Sequence, residues 1–248
     1  MPGLSTGYTQ FDTLTGGLQH IDVLMVATSP SSDGVSLALS IALHVATTSQ
    51  RGVGLLCLTM NKVRITQCLL AMHAGIDKHR LRAGQLKDDE WQRVMVAAQE
   101  LSRIKLWMDD PSDLCLTELR RRSRRLVDAH RISLIVIDDL SRIRSSTIGA
   151  PLEQQLQGAG EVNHGLRSLA HESGIPVIAC APLAYPVKLP RRGTSQRHNL
   201  HGRSRTMGAR HFLFLSREEP PETRHTSTFP ISLTQERSGL ITKLSLSS

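Results

Sequence analysis

Short apolar runs alternate along the first three quarters of the chain with longer segments whose apolar residues recur at spacings of three and four. The short runs are typical of strands buried in a parallel sheet. They are Asp22–Ala27, Val53–Leu58, Lys105–Met108, Ser133–Ile137 and Pro176–Cys180. The longer segments predict helices over Leu37–Thr47, Val63–His73, Asp88–Leu101, Thr117–His130 and Glu153–Glu172. This alternation predicts an α/β fold, a mostly parallel central sheet flanked by helices and joined by right-handed crossovers.

The pattern changes after Cys180, where short apolar runs follow one another without helical segments between them. These runs are Phe212–Leu215, Ile231–Leu233 and Leu240–Leu244. We therefore expect a C-terminal antiparallel extension of the sheet. Because no internal repeat and no long linker divides the 248 residues, a single domain over 1–248 is predicted.

Composition excludes several classes of protein. Aromatic residues make up only 3% of the chain, too few for a sheet that recognises RNA by base stacking. No apolar run approaches the roughly 18 residues that cross a bilayer, and the N-terminus lacks a signal-peptide pattern. A cytoplasmic protein without a membrane partner is expected. The cysteines show no metal-ligand spacing and are interpreted as reduced core residues, and no metal site is predicted: Cys57, Cys68, Cys115 and Cys180.

Positive charge is concentrated in one segment of the chain. The net charge is +8 at pH 7, and the segment Pro186–His211 holds seven basic residues and no acidic one. A basic segment rich in Pro, Gly, Ser and Thr is typical of a loop that contacts a polyanion, and a solvated surface loop is the alternative. The residues predicted to bind nucleic acid are Lys188, Arg191, Arg192 and Arg197.

A second arginine cluster lies on the predicted helix Thr117–His130. On a helical wheel its arginines cover one side, and apolar residues such as Leu119 and Leu126 lie on the other. The favoured interpretation is an amphipathic helix with a solvated basic face, with a nucleic-acid contact as the alternative. The arginines are Arg120, Arg121, Arg122, Arg124 and Arg125.

The opening segment Gly3–Gln19, followed by a strand, resembles the start of the C-terminal motor domain of DnaB-type replicative DNA helicases. This resemblance implies a RecA-like P-loop NTPase fold. In that family the domain hydrolyses a nucleoside triphosphate to pull single-stranded DNA through a hexameric ring. The likeness continues through His79–Leu86, Asp88–Trp91, Met108–Pro111, Glu118–Arg120, Arg124–Leu126 and Leu134–Leu140.

The phosphate-binding loop implied by the resemblance is degenerate. The family form Pro-Ser-x-Gly-Lys-Thr cradles phosphates and binds magnesium, and shifting the alignment by one residue restores no lysine. By position, Asp33, Gly34 and Val35 replace the family's Gly, Lys and Thr. We expect Ser32 or Asp33 to cap a helix that begins near Val35, where a working loop would bind phosphate. The cofactor-binding positions are Pro30, Ser31, Ser32, Asp33, Gly34, Val35 and Ser36.

Other catalytic positions implied by the resemblance are also changed. Thr59 replaces the acid that orients the attacking water, and Ala181–Pro182 replaces the pair that senses the γ-phosphate. The arginine finger aligns loosely near Leu200–Arg203. Asp138 is the residual Walker B acid, the catalytic residue that remains, and Asp139 beside it replaces an aromatic or apolar residue.

The favoured function is a DnaB-helicase-like RecA-fold protein that does not hydrolyse nucleotide, binds no cofactor and is linked to DNA replication. Its expected partners are DNA, bound weakly and non-specifically, and a full-length helicase or other replication protein. One alternative is a divergent ATP-dependent DNA helicase motor that uses ATP and Mg²⁺, and another is a decayed copy retaining only the fold. Family rings use a helix ahead of the motor domain, and since Met1–Leu4 opens this sequence, no stable homohexamer is expected.

Overall fold

The computed structural model describes residues 3–28, 34–111, 114–144, 152–182, 211–215, 229–235 and 241–246. The helices are α1 Thr9–Thr15, α2 Gly34–Thr47, α3 Lys62–Ala74, α4 Lys78–Ala83, α5 Asp88–Leu101, α6 Leu116–His130 and α7 Leu152–Ser173. The strands are β1 Val23–Thr28, β2 Val53–Leu56, β3 Leu106–Asp109, β4 Leu114–Cys115, β5 Leu134–Ile137, β6 Ile143–Arg144, β7 Val177–Pro182, β8 His211–Leu215, β9 Phe229–Gln235 and β10 Ile241–Leu246.

One large sheet runs through the domain in the strand order β10-β9-β8-β1-β7-β5-β2-β3. Every pair from β8 to β3 is parallel, whereas β9 and β10 pair antiparallel to their neighbours. The two short strands β4 and β6 form a separate parallel pair. The predicted mostly parallel sheet flanked by helices is confirmed, with the antiparallel extension reduced to β9 and β10.

β8 joins the two parts of the sheet, because it pairs parallel with β1 and antiparallel with β9. Residues 183–210 separate β7 from β8, and a parallel connection needs only a dozen or so residues. The connection is therefore long enough to return the chain to the same end of the sheet. β8 consequently lies inside the sheet, between β1 and β9.

The core lies on both faces of the sheet because neighbouring side chains of a strand point in opposite directions. In β1, Leu24 and Val26 pack with α2 and α3 residues on one face. Val23 and Met25 pack on the other face, with residues of α6 and α7 such as Leu166. This two-sided burial explains why the parallel strands are continuous apolar runs.

The sequence pattern did not predict the short helices α1 and α4. The N-terminus of α4 is capped by Asp77, whose carboxylate accepts from the backbone N–H groups of His79 and Arg80 at 2.9 and 3.0 Å. Gly84 ends the helix at φ +69°, a conformation that favours glycine. Arg80 then donates two hydrogen bonds to Glu90 of α5, at 2.6 and 2.7 Å. Tertiary contacts of this kind stabilise helices too short to form alone.

Cys57 and Cys180 are buried, as expected of core residues, but Cys115 is exposed at the start of α6. The interpretation of Cys115 as a core residue was wrong because it occupies the N-cap of a surface helix. None of the helices within the described residues has the combination of length and apolar character that a bilayer span requires.

Candidate functional site

The candidate site lies where the parallel strands β1, β7, β5 and β2 end, the edge at which open α/β sheets bind ligands. β1 leads towards α2, which begins at Gly34. Asp138 follows β5 directly, and Thr59 lies in the turn after β2. The sheet therefore brings the predicted positions 34, 59 and 138 to one edge of the domain.

Asp138 is 5% exposed, and its carboxylate is bonded to the turn after β2. One oxygen accepts from the backbone N–H of Leu58 at 2.6 Å. The other accepts from the N–H groups of Thr59 and Met60 at 3.0 and 3.3 Å. Burial raises the pKa of Asp138 above its ordinary value, and these three hydrogen bonds oppose that shift. The carboxylate thus connects the ends of β5 and β2.

Asp139 makes a second contact across the same gap. Its Oδ2 accepts a hydrogen bond from the Thr59 hydroxyl at 3.1 Å. Its Oδ1 accepts from the backbone N–H of Ser141 at 2.8 Å and caps a 3₁₀ turn over Leu140–Arg142. Sequence reasoning noted both Thr59 and Asp139 as unusual residues but did not predict that they would be paired.

The first turn of α2 contains Gly34, Val35 and Ser36, the last three positions of the predicted cofactor-binding loop. The helix begins one residue earlier than the expected start near Val35. The Sγ of Cys180 in β7 donates to the Gly34 carbonyl oxygen at 3.6 Å, so this turn lies against β7. Val35 and Asp138 line the same small pocket. The loop positions outside the described residues are Pro30, Ser31, Ser32 and Asp33.

Two further groups at this edge were not identified from the sequence. Burial, followed by the neighbouring Asp138 carboxylate, raises the pKa of the Cys57 thiol to about 12, so the thiol is uncharged at neutral pH and a poor nucleophile. The Lys62 ammonium at the start of α3 lies 2.9 Å from the Asp110 carboxylate, which follows β3. The sequence signal for this ion pair is that a charged residue follows each of two neighbouring strands, Lys62 after β2 and Asp110 after β3.

Four of the five arginines of α6, namely Arg120, Arg121, Arg122 and Arg124, are paired with acidic residues on their own helix and on α7. Arg121 and Arg122 both donate to Glu118, at 2.7 and 2.6 Å. The hydrogen bonds from Arg121 and then Arg122 lower the pKa of Glu118 to about 2. Arg124 donates to Glu172 of α7 at 2.9 Å. These contacts support the interpretation of a solvated, structural basic face.

The residues predicted to bind nucleic acid lie outside the described residues, so their assignment stays a prediction. They are Lys188, Arg191, Arg192 and Arg197.

Solved structures with the same fold include an ATPase domain that gives a TM-score of 0.84 at 19% sequence identity, covering 99% of this chain and 87% of that one. A DnaB-like replicative helicase whose interactions with primase were studied gives a TM-score of 0.83 at 19% identity. It covers 99% of this chain and 61% of that chain. The RecA-like fold implied by the resemblance is confirmed.

Curated relatives are replicative helicases. DnaB of Geobacillus stearothermophilus is 32% identical over 75% of this chain and 40% of its own length. The replicative DNA helicase DnaC of Bacillus subtilis strain 168 is 29% identical over 98% of this chain and 54% of its own length. The chain thus spans about half the length of these relatives. The family model described as DnaB-like helicase C terminal domain matches residues 3–247, and the chain belongs to this family of the replicative helicases.

Proposed function

We propose that this chain is a DnaB-like domain that no longer hydrolyses nucleotide and that serves DNA replication as a nucleic-acid-binding or helicase-associated protein. The observation that carries the proposal is the state of Asp138, whose carboxylate accepts three backbone N–H groups from the turn after β2. In the resembled family this acid helps to hold magnesium. Here it holds two loops of the protein together.

The hydrogen bonding of Asp138 leaves little capacity for a metal ion. An ionised carboxylate has about four acceptor positions, and three N–H donors use most of those of Asp138. The side chain is also 5% exposed. A hydrated cation would have to displace some of these donors, and exposing them costs free energy.

The neighbouring residues lack the groups that hydrolysis requires. The Thr59 hydroxyl is not a base at neutral pH, and it donates a hydrogen bond to Asp139. Gly34 and Val35 offer neither the positive charge nor the metal ligand that stabilises a transferring phosphoryl group. Loss of charge, metal ligand and base together supports a domain without turnover.

Purified protein is expected to show no magnesium-dependent ATP hydrolysis and at most weak ATP binding, because the site lacks the required charge and base. Phosphate release and a nucleotide titration, each with and without Mg²⁺, measure the two properties. Magnesium-dependent turnover that disappears in Asp138→Ala would contradict the proposal. It would support a divergent ATP-dependent helicase motor that uses ATP and Mg²⁺, the alternative that the retained Asp138 favours.

The cap of α2 provides a further prediction. Asp33 is the residue immediately before α2, which begins at Gly34, and an N-cap aspartate satisfies the free N–H groups of the first turn. We expect Asp33→Ala to lower the free energy of unfolding by about 0.5–2 kcal/mol, whereas Asp33→Asn, which can still cap, should change it little. Denaturant titration measures both. Equal midpoints for wild type and Asp33→Ala would show that another residue caps the helix.

We also propose that the domain associates with a full-length replicative helicase or another replication protein. Membership of the DnaB-like family supports this association. Size-exclusion chromatography with light scattering, with and without a replicative helicase, measures it.

A further inference from the structure

The turns that follow β2 and β5 are joined by a set of side-chain hydrogen bonds. Asp138 accepts from the N–H groups of Leu58, Thr59 and Met60, and Asp139 accepts from the Thr59 hydroxyl. Thr59 therefore donates twice, through its backbone N–H at 3.0 Å and through its hydroxyl at 3.1 Å. It is the residue of the β2 turn that contacts both carboxylates.

The charges around Thr59 restrict which side chains fit at this position. Two adjacent carboxylates, Asp138 and Asp139, lie within hydrogen-bond distance of Thr59. The nearby ammonium of Lys62 is bonded to Asp110. Thr59 is exposed, whereas Asp138 is 5% exposed. A carboxylate at position 59 would thus meet two like charges, one of which is buried and therefore less screened by water. A short, uncharged donor such as threonine meets two acceptors.

We propose that Thr59 and Asp139 form a specific hydrogen-bonded pair that joins the turn after β2 to the residues after β5 at the edge of the sheet. Because of this pair, a neutral hydrogen-bond donor at position 59 stabilises the folded domain and a carboxylate there destabilises it. This inference rests on the proposed function, because it predicts that a carboxylate placed at position 59 alone would destabilise the domain. Asp139, which replaces an aromatic or apolar residue of the resembled family, is the residue whose charge makes a carboxylate at position 59 unfavourable.

A double-mutant cycle tests the pair by separating charge from shape. Thr59→Glu and Thr59→Gln introduce side chains of the same size, with and without a negative charge. We expect Thr59→Glu to have a folded-to-unfolded ratio about tenfold lower than that of Thr59→Gln, because only the glutamate is repelled by the two carboxylates. Asp139→Asn keeps the shape of residue 139 and removes its charge. In that background the difference between Glu and Gln at position 59 should fall to about twofold.

The proposed pair is contradicted if Thr59→Glu and Thr59→Gln are equally stable. It is also contradicted if their difference in stability is the same in the Asp139→Asn background. If Thr59→Glu does not fold, hydrogen exchange in a milder variant tests the pair instead. Thr59→Val removes only the hydroxyl and should speed hydrogen exchange at the amides of residues 58–60 about fivefold, the effect of one net hydrogen bond.

A matched control for the exchange measurement is Thr66→Val. The Thr66 hydroxyl, on α3, donates a hydrogen bond to the Lys62 carbonyl oxygen of its own helix at 2.9 Å and not to Asp138 or Asp139. This variant should leave exchange at residues 58–60 unchanged. Unchanged exchange in Thr59→Val as well would overturn the proposed pair. Neither experiment contains nucleotide, so both outcomes are independent of whether the domain hydrolyses ATP.

Discussion

Replacing Asp138 by alanine is expected to lower the free energy of unfolding by about 2–3 kcal/mol, the largest stability effect we predict. The carboxylate is 5% exposed and accepts from three backbone N–H groups. Alanine leaves these donors without their partner and opens a gap between β2 and β5. Their partial access to water limits the loss, because solvated donors recover part of the lost bonding. Denaturant titration of both proteins measures the difference.

Two other variants identify the cause of the loss. Asp138→Asn keeps one acceptor oxygen but turns an NH₂ group towards N–H donors, so its stability should fall between those of wild type and Asp138→Ala. Asp128 is an exposed aspartate on α6, and Asp128→Ala should stay within about 0.5 kcal/mol of wild type. Equal unfolding midpoints for Asp138→Ala and Asp128→Ala would show that the Asp138 carboxylate does not hold the turn after β2.

Exchanging Lys188, Arg191, Arg192 and Arg197 together for glutamine is expected to abolish binding of single-stranded DNA. These residues lie in a segment with seven basic residues and no acidic one. Backbone phosphates are bound through such charges with release of counterions, so affinity should fall steeply with salt, at a slope of about −0.7 per phosphate on logarithmic axes. Aromatic residues make up only 3% of the chain, so base stacking adds little.

Fluorescence anisotropy of a labelled oligonucleotide at low salt measures this binding, which we expect to be weak and largely lost near physiological salt. The matched control exchanges Arg121, Arg122 and Arg125 on α6 for glutamine. Because Arg121 and Arg122 are already paired with Glu118, the control should retain most of the affinity. Loss of binding in the α6 variant alone would place the nucleic-acid surface on that helix, and absence of binding in the wild-type protein would indicate a protein partner.

The packing of α2 does not depend on a bound nucleotide. α2 contributes Leu37, Leu39, Ile41 and Val45 to the core on one face of the sheet. The free energy of that burial comes from the removal of apolar area from water and not from a bound nucleotide. The chemistry at the edge of the sheet can therefore change while the RecA-like architecture is kept.

Local patterns predicted the long elements well and the short ones poorly. The helix predicted over Asp88–Leu101 has the bounds of α5 in the structure. α1 was missed because its seven residues carry few apolar positions; it is held by Asp12, whose carboxylate accepts from Ser5 and from Thr6. Short helices depend on such specific contacts, which apolar periodicity does not register.

The sequence by itself determined which segments form the long strands and the long helices, because burial imposes a period on every long element. It also determined which side chains occupy the loop before α2 and position 59, and hence which chemical groups are available there. Only the tertiary structure decided what the remaining groups do. Asp138 and Asp139 meet Thr59 because β5 lies beside β2 in the sheet. That contact joins residues about 80 positions apart, and no local pattern encodes the order of strands that creates it.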